Sequence, residues 1–357
     1  MTYHNTLITG VGSFIPTKVV KNEDFHDKEF YSEKKERLDD SGEEIIKKFQ
    51  EITGISERRL MQDDVRLSDI AHLAAQKAID DAGIDAETID QIIFAHNYGD
   101  VKFGSIQSDM VPSLASRVKY LLQIKNPNCV AYDILFGCPG WIQGIIQAHS
   151  YIKAGVGKRF LVIGAEALSR VADPHDRDSM IYSDGAGAVI VEEVEEEEKR
   201  GLLSLSMQTD ASEEAYYLFN GESNKPGYKP NTSYIKMFGR KIYEYAISKV
   251  PAAMELALQR AGLEVTDVDK ILIHQANEKM DEAMVKRLYR LYKEKAPENI
   301  MPLSVRFLGN SSVATIPTLY DMILKGDCPK HQIKENDILL FASVGAGMNI
   351  NSFVYKQ

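Results

Sequence analysis

The sequence predicts an α/β fold in which one α/β unit occurs twice, and three observations carry that reading. Apolar, strand-like runs alternate with stretches of helical period along most of the 357 residues. A helical stretch closed by glycine and followed by a strand occurs at Ser68–Gly83 with Ile89–Ala95, and again at Val250–Gly262 with Val268–Ile273. The two blocks superpose with a single offset, 261 − 82 = 179: Ala261 falls on Ala82, Gly262 on Gly83, Leu263 on Ile84, Asp269 on Asp90 and Ile271 on Ile92. The same offset lays Leu339–Ser343 on Phe160–Gly164, two further apolar runs. Two blocks at one offset, about half the chain length, are the mark of a duplicated core.

Taken in order, Leu7–Pro16 reads as a strand entering a turn. Asn22–Gln50 is highly charged, with apolar positions at Phe25, Phe30, Ile45, Ile46 and Phe49, and is expected to be a helical, solvated cover. Thr53–Arg59 is a turn carrying two basic residues, and Ser68 is the expected N-cap of the first repeated helix. Val130–Phe136 is a short buried strand that Gly137 breaks. Cys138 follows at once, and Trp141–Gly155 is helical, with Pro139 suited to its first turn. The charged run Glu192–Arg200 is expected to be a solvated turn dividing the halves 1–191 and 201–357. Asp210–Ser233 lacks periodicity and reads as a long surface loop.

Composition excludes several classes. No run of about 18 apolar residues exists, so no membrane span is expected, and Met1–Thr6 lacks the regions of a signal peptide. Three cysteines, Cys129, Cys138 and Cys328, are odd in number and lack metal-ligand spacing. They point to a reducing, cytoplasmic setting without disulfides or a metal site. The net charge of −10 argues against nucleic acid as a partner.

In α/β folds chemistry gathers at the carboxyl ends of strands. Cys138 stands at a strand-to-helix turn, where free helix N–H groups and the helix dipole favour a thiolate and can receive an oxyanion. A buried structural cysteine fits the same local pattern. His274 follows the apolar run Ile271–Ile273, and Asn310 sits in a glycine turn; each alone suits a structural role as well. As a set they offer a nucleophile that takes an acyl group as a thioester, and donors or a proton shuttle for a second carbonyl. The glycine-rich turn Ser343–Asn349 adds a backbone N–H, assigned to Gly347, opposite Cys138.

Five motifs occur in order: Gly137-Cys-Pro-Gly-Trp141, Ala172-Asp-Pro-His-Asp-Arg177, Ser183-Asp-Gly-Ala-Gly-Ala188, His274-Gln-Ala-Asn277 and Leu308-Gly-Asn-Ser-Ser312. From about Leu7 to the C-terminus the chain resembles the β-ketoacyl-acyl-carrier-protein synthase III family of the thiolase superfamily. The resemblance implies a duplicated five-layered α-β-α-β-α fold, a homodimer and a Cys138-His274-Asn310 triad. It implies an oxyanion hole from the N–H groups of Cys138 and Gly347, and no metal or redox cofactor. The substrates it implies are an acyl donor on coenzyme A or on the phosphopantetheine of acyl-carrier protein, and malonyl-acyl-carrier protein. The reaction would be a decarboxylative Claisen condensation through an acyl-Cys138 intermediate.

Departures from the family pattern bear on the substrate. Lys48, beside Phe49, stands where the family often has an adenine-stacking tryptophan, while Arg177 matches the other stacking residue. Val111 stands before Pro112-Ser113, where a phenylalanine commonly reaches across the dimer into the acyl pocket. Gly345-Ala-Gly-Met348 replaces Gly-Gly-Gly-Phe, so Met348 changes the pocket wall. These differences favour a specialised ketosynthase over the housekeeping starter enzyme. Arg58, Arg59, Lys236, Arg240 and Lys241 are basic candidates for docking the acidic carrier, and Met237–Arg240 resembles the family's carrier-facing helix start. The competing readings are acyl transfer to an alcohol or amine without C–C bond formation, a non-catalytic scaffold, and amidase-type Cys–His chemistry.

Overall fold

The computed structural model describes residues 2–357. Nine strands form the principal sheet: β1 (Tyr3–Phe14), β2 (Gln91–Ala95), β3 (Val130–Ile134), β4 (Arg159–Ala167), β5 (Asp184–Glu196), β6 (Gly201–Thr209), β7 (Lys270–Ile273), β8 (Ile338–Gly345) and β9 (Asn349–Lys356). The helices are α1 (Gly42–Thr53), α2 (Leu67–Ala82), α3 (Leu114–Leu121), α4 (Gly140–Lys153), α5 (Gly239–Ala261), α6 (Glu278–Leu291), α7 (Val305–Leu308) and α8 (Thr315–Leu324). Strand order is β7-β8-β9-β6-β1-β5-β4-β2-β3. Within each half the outer pairs, β2–β4 and β7–β8, run parallel, and the inner pairs, β4–β5 and β8–β9, run antiparallel. The halves meet at one parallel pair, Thr6 of β1 with Gly201 of β6.

Residues alternate between the two faces of each strand, and in β2, β4, β7 and β8 both faces are buried, which is why these strands read as unbroken apolar runs. The edge strand β3 is not the buried strand expected of 130–136: it ends at Ile134 and its residues are exposed or half-buried. Ile92, Phe94, Leu161 and Ile163 pack outward against Ile70, Ala74 and Ala78 of α2 and Leu114 and Val118 of α3. Their neighbours Ile93 and Val162 point the other way, into a middle layer with Trp141 and Ile145 of α4 and Leu319 and Ile323 of α8. Leu272, Leu339, Phe341 and Phe353 of the second half close that middle layer from its far side. Ile271, Leu340 and Val354 then pack outward on Met254 and Leu258 of α5 and Met284 and Leu288 of α6. The result is five layers, α-β-α-β-α, with α4 and α8 sealed between the half-sheets. Each fully buried aliphatic or aromatic side chain there contributes roughly 1.5–3 kcal/mol relative to exposure.

The repeat extends to single hydrogen bonds. Asp90 N–H donates to the Arg159 carbonyl at 2.9 Å, and Arg159 N–H donates back to Asp90 Oδ2 at 3.0 Å. At 179 residues further, Asp269 N–H donates to the Ile338 carbonyl at 2.9 Å, and Ile338 N–H donates to Asp269 Oδ2 at 2.8 Å. Both repeated helices end at a glycine in the left-handed region, Gly83 at φ 64° and Gly262 at φ 71°. Only glycine adopts that conformation without a Cβ penalty.

Several local expectations are corrected. Asn22–Gln50 is helical only at Asn22–Phe25 (3₁₀) and from Gly42 onward. Ser41 starts α1 by accepting from Glu44 N–H, while Glu44 accepts from Ser41 N–H. Ser68 is not the N-cap: it lies inside α2, where its N–H and hydroxyl both donate to Asp100. The run Glu192–Glu196 belongs to β5, and only residues 197–200 turn. Its charges are neutralised in place, Glu192 by Arg159 and Glu196 by Arg200, so the run can stay in a sheet. Asp210–Ser233 is not all loop, because Leu218–Gly221 pairs antiparallel with Tyr234–Met237. The basic segment after Thr53 turns at Gly54 and then forms a strand, Glu57–Leu60, paired with Lys18–Lys21.

Candidate active site

Chain segments leaving the carboxyl ends of β2, β3, β7 and β8 converge on one cavity of about 250 Å³. They bring Asn97, Cys138, His274 and Ala346 to its wall, and Asn310 and Ser312 join them from the loop before α8. Gly137, at φ 64°, reverses the chain after β3 so that Cys138 opens α4. The turn after β8 can lie against it only because Gly345 lacks a side chain. A Cβ there would stand 2.5 Å from Cys138 N and 2.7 Å from Pro139 Cδ. Among the described residues the N–H groups of Cys138 and Ala346 donate to no protein acceptor. Backbone donors free at a cavity that also holds a thiol suit a developing oxyanion.

Asn310 is fixed at both ends of its residue. Its N–H donates to the Ile181 carbonyl and its own carbonyl accepts from Ser183 N–H, both at 2.9 Å. Its Oδ1 accepts from Ser312 N–H at 2.8 Å, which leaves the amide NH₂ as the end available to the cavity. Ser312 Oγ donates to Cys138 Sγ at 3.4 Å. The rest of the wall is apolar, with Leu168, Phe219, Ile235, Val344 and Met348 among its members.

Burial sets the charge states. It pushes the Cys138 thiol up to about 11, with Ser312's hydrogen bond opposing the shift, and it pushes His274 down to about 4. Near neutral pH the pair is therefore a thiol and an uncharged imidazole, whose Nδ1 has no protein partner among the described residues. The apolar surroundings thus oppose the thiolate that a helix N-terminus favours.

A second cavity, of about 360 Å³, opens to solvent and shares Ile181, Met237, Ile242, Ala276 and Met280 with the first. The two form one passage from the surface to Cys138, and Lys48, Arg177 and Arg240 line its outer part.

Two family models match the chain, "3-Oxoacyl-[acyl-carrier-protein (ACP)] synthase III" over residues 132–211 and its C-terminal counterpart over residues 258–357. The β-ketoacyl-[acyl-carrier-protein] synthase III of Staphylococcus haemolyticus is 33% identical over 353 residues, 99% of each chain. That of Geobacillus kaustophilus is 33% identical over 96% of this chain and 95% of its own. The chain belongs to the β-ketoacyl-acyl-carrier-protein synthase III family. The synthase III of Aquifex aeolicus superposes with a TM-score of 0.80 at 29% identity, covering 99% of this chain and 100% of its own. A priming β-ketosynthase of the R1128 polyketide pathway, at 23% identity, shares the fold with a TM-score of 0.81 over 99% of this chain and 96% of its own.

In this synthase III chain the residues singled out from sequence divide sharply. Cys138, His274, Asn310 and Met348 line the inner cavity. Gly347 does not; its neighbour Ala346 does, because Gly345 is the residue that touches Cys138 and the turn has moved on by Gly347. Val111 is 87% exposed and lines no part of this chain's inner cavity. Arg240 is exposed at the outer mouth, paired with Glu244. Lys241 lies over the rings of Tyr217 and Phe238, 5.2 Å from each centroid.

Two docking candidates are corrected by burial. Lys236 is 6% exposed, with Nζ 2.5 Å from Asp173, 3.0 Å from Asp176 and 2.8 Å from Asn224. Arg58 is 1% exposed and donates to Met180, Val20 and Asn22 beneath the ring of Phe25. Arg59 is partly buried, held by Glu57 and the Phe307 carbonyl. Sequence reasoning passed over Asn97, Glu166, Ser312 and Ala346. The repeat held a signal for Asn97: the 179 offset carries it onto Ala276, just after His274, and both line the cavity.

Proposed function

We propose that this chain condenses an acyl thioester with malonyl-acyl-carrier protein through an acyl-Cys138 intermediate, losing CO₂ and giving a β-ketoacyl thioester. The observation that carries this reading is the convergence of Cys138, His274 and the fixed amide of Asn310 on one largely apolar cavity. In the first half-reaction Cys138 Sγ attacks the acyl carbonyl while the uncharged His274 ring takes the thiol proton. The N–H groups of Cys138 and Ala346 hold the tetrahedral oxyanion, and the donor thiol leaves with the proton.

In the second half-reaction the malonyl thioester carbonyl lies between His274 and the Asn310 NH₂. Breaking the C–CO₂ bond leaves its electron pair as an enolate that those donors stabilise. The α-carbon attacks the acyl-Cys138 carbonyl, the C–S bond breaks, and Cys138 leaves as the thiolate, which regains its proton from water. The electrons of the new C–C bond come from the bond broken, so the roles assigned to these residues call for no metal or redox group. Acyl transfer to an alcohol or amine has no use for the Asn310 amide.

Within the same reading, Arg177 and Lys48 at the outer mouth meet the nucleotide or pantetheine of the donor, and Arg240 and Lys241 meet the acidic carrier. Val111 belongs to the surface that pairs two copies into a homodimer, placing its short side chain near the partner's acyl pocket. The units 1–191 and 201–357 each supply part of the site, and the setting is cytoplasmic.

The test is intact mass spectrometry after mixing the protein with acetyl-CoA, short branched acyl-CoA and longer carrier-bound acyl donors. An adduct absent from Cys138→Ala, converted to β-ketoacyl product on adding malonyl-acyl-carrier protein, is expected. Product formation by Cys138→Ala sinks the covalent scheme. An adduct from short acyl-CoA identifies a starter enzyme of fatty-acid synthesis, and one from longer or carrier-bound chains alone a specialised ketosynthase.

A further inference from the structure

Behind the nucleophile runs a line of polar side chains that the condensation scheme does not use. Glu166, at the end of β4, is fully buried, and its Oε2 accepts from Asn97 N–H at 2.9 Å and from Asn97 Nδ2 at 2.5 Å. The same Nδ2 donates its other hydrogen to Ser312 Oγ at 3.3 Å, and Ser312 Oγ donates to Cys138 Sγ at 3.4 Å. The direction of this chain follows from chemistry. A carboxylate oxygen only accepts, so Asn97 must present its NH₂ rather than its carbonyl. With one lone pair taken by Asn97, the Ser312 hydroxyl turns its hydrogen toward the sulfur. Ser312 is also a non-glycine residue in the left-handed region, at φ 53°, in the loop that fixes Asn310. Strain of that kind persists where surrounding structure holds it and gathers at functional sites.

We infer that Glu166 is a positioning residue for Cys138: through Asn97 it orients the Ser312 hydroxyl as a hydrogen-bond donor to the sulfur, lowering the cost of the thiolate formed during acylation. Burial pushes the Glu166 carboxyl up to about 7, against His96 and the Asn97 hydrogen bonds, and Oε1 has no protein partner among the described residues. An acceptor rather than a charge is what Asn97 needs, so glutamine should serve in its place. The inference rests on Cys138 being the nucleophile.

The experiment is the rate of Cys138 carboxymethylation by iodoacetamide at about pH 9, read on the Cys138 peptide so that Cys129 and Cys328 do not contribute. Ser312→Ala should slow it about fivefold, the size of one ordinary hydrogen bond. Glu166→Ala, which removes no atom touching the sulfur, should slow it by a similar factor, and Glu166→Gln should restore most of the rate. In the Ser312→Ala background Glu166→Ala should have no further effect, a dependence that a general loosening of the fold does not produce. Melting curves identify any variant that fails to fold, and Asn97→Ala then takes the place of Glu166→Ala. Equal rates for wild type and a folded Glu166→Ala or Asn97→Ala, or additive losses in the double variant, overturn the inference. Loss of the acyl adduct on Cys138→Ala is a separate readout, so failure of the nucleophile and failure of the relay are told apart.

Discussion

Asn310 Oδ1 accepts the Ser312 N–H at 2.8 Å, and that one contact decides which end of the amide faces the cavity. An amide flips readily unless its hydrogen bonds forbid it. Here the flip would set an NH₂ against an N–H donor, so the donor end stays on the cavity side.

Removing that donor should damage the second half-reaction and spare the first. Asn310→Ala is expected to lower kcat for condensation by about 10²–10³, the cost of one lost transition-state donor. Formation of the acyl-Cys138 adduct should stay within a few-fold of wild type. Single-turnover acylation by intact mass, set beside steady-state condensation, separates the two steps. Equal losses in both would mean that Asn310 serves the oxyanion of the acyl enzyme instead.

The thiol itself should react as one held above its ordinary pKa. With Cys138 pushed up to about 11, its alkylation rate should keep rising with pH through 9, roughly tenfold per unit. The check is the iodoacetamide rate at the Cys138 peptide between about pH 6 and 10. A plateau below pH 8 would show a resting thiolate and restore the dominance of the helix N-terminus.

Lys236 and Arg240 are four residues apart and should fail in different ways. Lys236→Ala leaves the buried Asp173 without its closest cation and is expected to cost about 3–5 kcal/mol in chemical denaturation. Arg240→Glu changes an exposed side chain at the passage mouth. It should leave denaturation nearly unaltered and raise KM for carrier-bound malonyl several-fold. An unchanged KM would remove Arg240 from the docking surface.

Asp281 is fully buried in α6, with neither carboxyl oxygen partnered among the described residues, and burial raises it well above the ordinary carboxylate range. Above pH 4 the unfolded chain gives up this proton while the folded chain keeps it. The folded state then binds more protons, and stability falls as pH rises toward the raised value. Asp281→Asn removes the effect. Its gain in stability over wild type should grow by about 1.4 kcal/mol per pH unit in that window. Denaturation curves at pH 5, 6 and 7 provide the measurement, and a gain that does not change with pH contradicts the assignment.

Much of the architecture was legible because it is written in short-range pattern. Strands buried on both faces must be apolar throughout, so Ile89–Ala95 and Phe160–Gly164 declared themselves. The 179 offset predicted a symmetry that returns in Asp90 and Asp269, down to the direction of each hydrogen bond. The cover at Asn22–Gln50 misled because its apolar residues serve a shared core with Arg58 rather than one helical face: Phe30, Ile45 and Phe49 are all buried there. Lys236 misled because a lysine on a short strand looks exposed until its carboxylate partners arrive from a segment some sixty residues earlier.

By itself the sequence determined the duplicated α/β core, which follows from periodicity. It also gave the order of five motifs, whose resemblance to a family singled out Cys138, His274 and Asn310 as candidates. Tertiary structure alone decided that Ala346 rather than Gly347 lines the cavity with Cys138, that burial raises the thiol's pKa, and that Glu166, Asn97 and Ser312 stand in line behind it. Those properties depend on distance and on exclusion of water. Both are set where residues 97, 138, 166, 274, 310 and 346 meet at the ends of different strands, and no local pattern in the chain records that meeting.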